Sequence, residues 1–197
     1  MRRGLLLALA GVAGAAVYLL SKPAGAAVSS AGGSIMDALN IDRYFSPASG
    51  NIMFPDVGPV PAAQLRANEE KYLPAIKAAE SAHGISPRLL QALLWRESRF
   101  ADHIISGRVK SKQGAIGIAQ FMPSTAARFG VDPYNPESAI PGAAAYLRVL
   151  FDEFQSWKLA VAGYNAGEGA VRKHGGVPPF NETAGYIAEI LPNAGLA

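Results

Sequence analysis

The sequence has 197 residues, which is enough for one sizeable domain and an additional segment. Its 18 Lys and Arg against 15 Asp and Glu give a net charge of only +3, and the basic residues are scattered, which argues against nucleic acid as a partner. The lack of cysteine excludes disulfides, thiolate metal ligands and a cysteine nucleophile. Because His83, His103 and His174 are isolated from one another, neither a metal site nor a cofactor is predicted.

The N-terminal segment predicts export or membrane attachment. Arg2 and Arg3 precede an uncharged stretch at 4–20, whose length lies near the lower limit for a membrane-spanning helix. Residues 1–22 are therefore interpreted as a signal anchor or a signal peptide, with the retained anchor favoured over cleavage near Ala24. The positive-inside rule places the rest of the chain outside the cytoplasm. We expect a membrane-anchored protein with its domain on the periplasmic side, and a secreted periplasmic or virion-associated protein as the alternatives.

Residues 23–61 are rich in Gly, Ala, Ser and Pro and are interpreted as a linker with room for one short helix. From residue 62 onward the apolar residues recur at helical spacing, and no segment alternates with a period of two. Ser86 and Pro87 are interpreted as the N-cap and first residue of a helix. The sequence thus predicts an all-α domain over 62–197. Its helices are expected at 64–83, 88–99, 123–129, 136 or 141 to 154, 157–165 and 182–191.

Glu97 occupies an unusual place on the predicted helix of residues 88–99. Leu90, Leu93 and Leu94 precede it by seven, four and three residues, so its carboxyl lies on the apolar face. A carboxyl in apolar surroundings resists ionisation, and its pKa rises to about 6 in known general acids. Glu97 is therefore the candidate catalytic acid. The alternative is a structural glutamate at the edge of the core, paired with a neighbouring arginine.

Three further segments combine small residues with hydrogen-bonding side chains. Residues 111–123 contain two glycines and a lone Gln120 before a helix start, 162–167 place a tyrosine and an asparagine among small residues, and 178–186 resemble a capped helix start. Glycine allows close backbone approach, and amide side chains can bind sugar hydroxyls. Each segment alone is also compatible with an ordinary turn or helix cap. The sequence lacks the Lys-Ser/Thr pair that a phosphate-binding loop requires.

Taken in order, these motifs resemble the catalytic domain of the soluble lytic transglycosylases, a lysozyme-like family related to goose-type lysozyme. The resemblance covers about residues 66–191. Two features depart from the family pattern, since the segment 101–110 is longer than usual and Gly163 stands where alanine is common. The motifs are Glu97-Ser98-x-Phe100, Ser111-x-x-Gly114-Ala-x-Gly117-x-x-Gln120-x-Met122-Pro123, Ala145-Tyr146-Leu147, Tyr164-Asn165-Ala166-Gly167 and Glu182-Thr183-x-x-Tyr186.

The resemblance implies a lysozyme-like helical domain and a role for each motif. Glu97 would protonate the glycosidic oxygen and then remove the proton of the sugar's 6-hydroxyl. Residues of the motifs that follow Glu97 in the sequence would contact the N-acetyl sugars or line the substrate-binding groove. The substrate-binding residues implied in this way are Ser111, Gly114, Gln120, Met122, Tyr164, Asn165, Glu182 and Tyr186.

The function that the resemblance implies is lytic cleavage of the MurNAc–GlcNAc bond of peptidoglycan, which leaves a 1,6-anhydro-MurNAc end. One alternative is a muramidase that hydrolyses the same bond with a water held by a second carboxylate, for which Asp102, Glu168 and Glu182 are candidates. A non-catalytic peptidoglycan-binding module is the other. The expected partners are peptidoglycan strands and, through residues 1–22, a membrane. A secretion, conjugation or phage assembly apparatus is a further possible setting.

Overall fold

The computed structural model describes residues 45–46, 51–54 and 58–196, and side chains from Val60 onward. The predicted N-terminal apolar helix and most of the predicted linker lie outside these residues. In the described part of the chain, no helix is long and apolar enough to cross a membrane.

Three short antiparallel strands precede the helical domain. β1 (Phe45–Ser46) pairs with β2 (Asn51–Phe54), and β2 pairs with β3 (Gly58–Pro61). The sequence analysis did not predict these strands, because a strand of four residues or fewer is too short to show alternation. β3 leads directly into the first helix at Ala62.

The described residues after Pro61 form eight α-helices, which confirms the prediction of an all-α domain. Two of them, α3 and α7, were not predicted. α3 has only four residues, and α7 lacks the proline start that marks α4, a helix of the same length of seven residues. The helices are α1 (Ala62–His83), α2 (Leu89–Ser98), α3 (Asp102–Ile105), α4 (Pro123–Phe129), α5 (Pro136–Phe154), α6 (Trp157–Ala166), α7 (Glu168–His174) and α8 (Asn181–Asn193).

The predicted start of α2 was wrong. Arg88 adopts a left-handed conformation with φ +69°, so the chain makes a turn after Pro87 and the helix begins at Leu89. Glu80 from α1 accepts hydrogen bonds from backbone N–H groups of the first turn, which have no partner within the helix. Its Oε1 lies 3.0 Å from the backbone nitrogen of Leu90 and 3.4 Å from that of Gln91. A carboxylate at a helix N-terminus also interacts favourably with the helix dipole. A distant side chain therefore replaces the local Ser86 cap.

The other helix ends follow the expected capping rules more closely. α4 begins with Pro123 and ends at Gly130 in the left-handed region. Asn135 caps α5 by accepting a hydrogen bond from the backbone N–H of Glu137 at 3.0 Å. Of the two predicted starts for α5 the structure therefore shows Pro136, and the helix continues through Pro141.

Four contacts between helices determine where the candidate acid lies. α5 packs against α1 and α6, while α8 packs against α6 and α2. Most residues of α2 are buried, so this helix lies within the core, and its end at Ser98 is brought beside α8. At the contact of α5 with α6, a methyl group on Gly163 would lie 3.0 Å from Leu150 Cδ2 and 3.3 Å from Phe154 Cε2. The glycine is therefore matched to its neighbours.

Candidate active site

Glu97 lies near the C-terminal end of α2 and is 2 % exposed. Its Oε1 accepts a hydrogen bond from the hydroxyl of Tyr186, a fully buried residue of α8. Its Oε2 is buried and has no hydrogen-bond partner in the described part of the chain. Glu97 thus has one oxygen fixed by the protein and one that is not engaged.

Burial raises the pKa of Glu97 to about 8. The hydrogen bond from Tyr186 and the charge of Arg96 act in the opposite direction, and the charge of Glu182 adds to the increase. This value exceeds the pKa of about 6 expected from the sequence, because the side chain is enclosed rather than placed at the edge of the core. At neutral pH Glu97 therefore carries a proton that it can donate.

The two arginines nearest to Glu97 in sequence pair with a different carboxylate. Arg96 Nη1 and Arg99 Nη1 contact the two carboxyl oxygens of Glu189, the second at 2.9 Å. The sequence alternative, in which Glu97 itself pairs with a neighbouring arginine, is wrong in this structure. Glu189 was not identified from the sequence, because no motif includes it, although it lies three residues after Tyr186 and so on the same helix face.

A second carboxylate, Glu182, lies in the first turn of α8 and is half-buried. Its Oε1 accepts from Asn165 Nδ2 at 3.0 Å, and Asn165 Oδ1 accepts from the hydroxyl of Thr183 at 2.8 Å. These bonds connect the end of α6 to the start of α8. They bring together two of the predicted substrate-binding residues and add Thr183, which the motif contained but the prediction did not use.

Tyr164 of α6 connects the helices to the loop of residues 111–121. Its buried hydroxyl donates to the carbonyl oxygen of Ala119 at 2.9 Å, and its ring lies 5.2 Å from that of Tyr146, between centroids. Burial, and then the charge of Glu97, raise the pKa of Tyr164 well above its usual range. Tyr164 is therefore a neutral hydrogen-bond donor, and it lies close enough to Glu97 for the charge of that carboxyl to affect its pKa.

The polar side chains of this loop bond to the loop itself. Ser111 Oγ accepts from the backbone N–H of Ala115 at 2.9 Å, and Gln120 Nε2 donates to the carbonyl oxygen of Gly117 at 2.9 Å. Gln120 Oε1 is buried without a hydrogen-bond partner in the described residues. Gly114 is partly exposed with φ +86°, and Met122 precedes α4 as its N-cap residue. These four predicted residues thus lie together in the segment 111–122, and in the described part of the chain the side chains of Ser111 and Gln120 bond to this segment rather than to Glu97 or Tyr186.

Gly117 has a packing role in the loop. Its φ is +78°, and a methyl group there would lie 1.8 Å from the carbonyl oxygen of Pro133. Only glycine fits at this close approach of two backbone segments.

The segment 101–110, which is longer than usual for the family, leads into this loop. Its residues Ile104 and Ile105 are buried and attach it to the core.

The three candidates for a second acid have different surroundings. Asp102 is exposed and accepts hydrogen bonds from Gln64 and Asn68. Glu168 accepts from Arg128 and from the hydroxyl of Tyr146. Burial raises the pKa of Glu168, but these hydrogen bonds and the charge of Arg128 outweigh it, and the pKa is lowered overall. Of the three, Glu182 is the one whose charge acts on Glu97.

In the described residues, no group of three or more His, Asp or Glu side chains could hold a metal ion. The site is instead a buried acid held by a tyrosine, a half-buried carboxylate beside it, and a glycine-containing loop. A buried carboxyl that keeps its proton at neutral pH is what a general acid in glycosidic cleavage requires.

The sequence model of the family described as "Transglycosylase SLT domain" matches residues 74–186. The matched region is more than half of the chain and contains Glu97 and every predicted site residue. The chain therefore belongs to this family, and the resemblance found in the sequence is confirmed.

Curated relatives include viral and bacterial proteins. The chain is 40 % identical over 102 residues to peptidoglycan transglycosylase gp16 of Escherichia phage T7, which covers 47 % of the chain and 7 % of the relative. It is 30 % identical over 132 residues to membrane-bound lytic murein transglycosylase C of Actinobacillus pleuropneumoniae, covering 57 % and 35 %. It is 31 % identical over 125 residues to the transglycosylase of Enterobacteria phage PRD1, covering 61 % and 42 %. The matches thus span less than half the length of each relative.

Among solved structures, the chain is similar to an inactive mutant of lytic transglycosylase Slt from Pseudomonas aeruginosa. The sequence identity is 26 %, the TM-score is 0.45, and the match covers 67 % of this chain and 29 % of the other.

Proposed function

We propose that this protein is a lytic transglycosylase that cleaves the MurNAc–GlcNAc bond of peptidoglycan and leaves a 1,6-anhydro-MurNAc end. The observation that carries the proposal is the buried Glu97, protonated at neutral pH and held by Tyr186. Family membership and the names of the relatives, which include peptidoglycan and murein transglycosylases, support the substrate.

The first step uses the proton of Glu97. Transfer of that proton to the glycosidic oxygen, as the bond from this oxygen to C1 of MurNAc breaks, releases the GlcNAc hydroxyl and leaves positive charge at C1. The raised pKa keeps the proton available near pH 7, and the Tyr186 hydrogen bond orients the carboxyl group. Because Glu97 is 2 % exposed, the glycan must displace the groups that cover the carboxyl before its oxygen reaches the acid.

The second step uses the ionised Glu97. The carboxylate removes the proton of the 6-hydroxyl of the same MurNAc, and O6 bonds to C1 to close the anhydro ring. Glu97 is then protonated again and no water is consumed. Ring closure within one molecule outcompetes water when the hydroxyl is well held, because the effective concentration reaches about 10⁵ M or more.

The walls of the site would hold the glycan by hydrogen bonds. Gln120 Oε1 and Glu97 Oε2, both buried without a hydrogen-bond partner in the described residues, are acceptors that a sugar amide or hydroxyl would satisfy. Asn165 and Glu182 extend the polar lining on the helical side. Ser111, Gly114, Met122 and Tyr164 would form the opposite wall, mainly by shaping the backbone.

Mass spectrometry of digested peptidoglycan tests the proposal. The fragments should be one water lighter than those from a muramidase digest of the same sacculi, and their ends should resist borohydride. Sacculi incubated in parallel with the Glu97→Gln protein should release neither kind of fragment.

Reducible MurNAc ends would instead identify a hydrolase. Glu182 would then be the base that activates water, because it is the second carboxylate whose charge acts on Glu97. In that case Glu182→Gln should reduce turnover as severely as Glu97→Gln. In the proposed lyase its effect should be clearly smaller.

We further propose that the domain works outside the cytoplasmic membrane, anchored by the apolar stretch at 4–20. The membrane-bound murein transglycosylases among the relatives support this location, while the phage relatives favour a virion-associated protein. Cell fractionation with N-terminal sequencing tests it. We expect an uncleaved protein in the membrane fraction, and a soluble species beginning near Ala27 would show a cleaved leader.

A further inference from the structure

Glu189 connects α8 to the end of α2 that carries the acid. Its Oε2 accepts from Arg96 Nη1 and its Oε1 pairs with Arg99 Nη1, so each carboxyl oxygen engages one arginine. Both side chains of the Arg96–Glu189 pair are shielded, with exposed fractions of 9 % and 25 %. Glu189 therefore holds Nη1 of the Arg96 guanidinium beside α8.

The position of Arg96 matters because the acid beside it has an open oxygen. Glu97 Oε2 has no hydrogen-bond partner among the described residues, and Arg96 is the neighbouring residue in sequence. A buried guanidinium that loses one of its carboxylate partners is attracted to another carboxylate close to it. A salt bridge to Glu97 would stabilise the ionised carboxylate, which has no proton to donate.

We propose that Glu189 is a positioning residue that engages Arg96, directs it away from Glu97 Oε2, and so keeps Glu97 protonated. This inference rests on the proposed role of Glu97 as the acid. It assigns to α8 a second task besides orienting the carboxyl through Tyr186. The residue acts through Arg96 and has no contact with substrate in the proposal.

Among the groups that act on Glu97, Arg96 is the positively charged one. Tyr186 and Glu182 reach it from α8 and Tyr164 from α6, and none of these carries a positive charge. Arg96 is the cation that lowers the pKa of Glu97. The position of this guanidinium therefore affects the charge state of the acid.

Titration of Glu97 in the full chain tests the inference directly. The ¹³C signal of its carboxyl carbon, assigned by its absence in Glu97→Gln, is followed against pH in the wild type and in Glu189→Gln. We expect the midpoint to fall by about one pH unit or more in Glu189→Gln, the size typical of a newly formed contact with an arginine. The alkaline limb of kcat/KM should move with it. Asp152→Asn, which breaks the exposed Arg148–Asp152 pair, is the control and should leave both unchanged.

A second background separates an effect through Arg96 from a direct effect of the charge on Glu189. In Arg96→Met, the further change Glu189→Gln should leave the Glu97 midpoint where Arg96→Met alone puts it. An equal fall in both backgrounds would overturn the inference, because Glu189 would then act without Arg96. An unchanged midpoint in a folded Glu189→Gln protein would overturn it as well.

Glu189→Asp provides the measurement if the amide variant does not fold. It keeps the charge but shortens the side chain, so the Glu97 midpoint should fall by less than in Glu189→Gln, and no fall would count against the inference. The titration does not depend on the reaction catalysed. A protein that makes reducible ends but shows the expected shift would therefore refute the lyase proposal and leave this inference standing.

Discussion

On the helical side of the site, formed by α2, α6 and α8, the predicted residues contact one another. Tyr186 donates to Glu97, and Asn165 donates to Glu182. On the loop side, over residues 111–121, the side chains of Ser111 and Gln120 bond instead to backbone atoms of the loop. The motif residues thus divide into two groups. Those on the helical side surround the acid, and those on the loop side hold the backbone of the loop in place. Substitutions on the two sides should differ in whether they reduce activity or stability first.

The largest expected effect is on the helical side. Glu97→Gln keeps the shape of the side chain but cannot donate a proton, so turnover should fall by roughly 10³-fold or more while the fold is kept. Turnover on sacculi and the circular dichroism spectrum are measured together. Turnover near the wild-type rate in a folded variant would remove Glu97 from the proposed mechanism.

The same substitution should stabilise the protein, and by an amount that depends on pH. The carboxyl ionises near 4.5 in the unfolded chain and near 8 in the folded protein. Between these values the folded state binds the extra proton, so wild-type stability falls as pH rises, by roughly 1.4 kcal/mol per pH unit. Urea unfolding at pH 5 to 8 should show the advantage of Glu97→Gln growing with pH. An advantage of constant size would contradict the raised pKa.

On the loop side the largest effect should be on stability. Gly117→Ala places a methyl group 1.8 Å from the Pro133 carbonyl oxygen at a φ of +78° and should destabilise the protein by about 3 kcal/mol or more. Gly114→Ala is the matched control, because its φ is +86° but nothing lies within 4 Å, and it should cost only about 1 kcal/mol. Equal thermal unfolding midpoints for Gly117→Ala and Gly114→Ala would show that the loop backbone can move to accept the methyl group at residue 117.

The smallest expected effect is that of Ser111→Ala. It removes the acceptor for the Ala115 N–H, which should cost about 1 kcal/mol of stability, and kcat/KM should fall by less than about tenfold. Loss of activity without loss of stability would show that Ser111 acts mainly on the sugar. Calorimetry and initial rates distinguish the two outcomes.

Local sequence patterns were sufficient for six of the eight helices after Pro61, though not for the start of α2. They were also sufficient to place Glu97 on the apolar face of α2, because spacing alone does so. Interactions between distant segments were not predictable in the same way. The hydrogen bond of Asn165 to Glu182 spans 17 residues, and the Glu80 cap of α2 competes with a local Ser86 signal that looked sufficient. Glu189 belongs to no motif. Its importance follows from the packing of α8 on α2, which places it beside the arginines that flank the acid.

The close fit around Gly163 has an evolutionary consequence. Since a methyl group there would lie 3.0 Å from Leu150 Cδ2 and 3.3 Å from Phe154 Cε2, an alanine at this position requires these side chains to move by a few tenths of an ångström, and a smaller partner removes that requirement. Homologues with alanine at the position of Gly163 should therefore have a smaller residue at one of the two partner positions, and the three positions should covary. In directed evolution, the order in which the two substitutions arise should therefore matter. Gly163→Ala should be accepted after Leu150→Val has opened space, whereas the same change made first should be selected against.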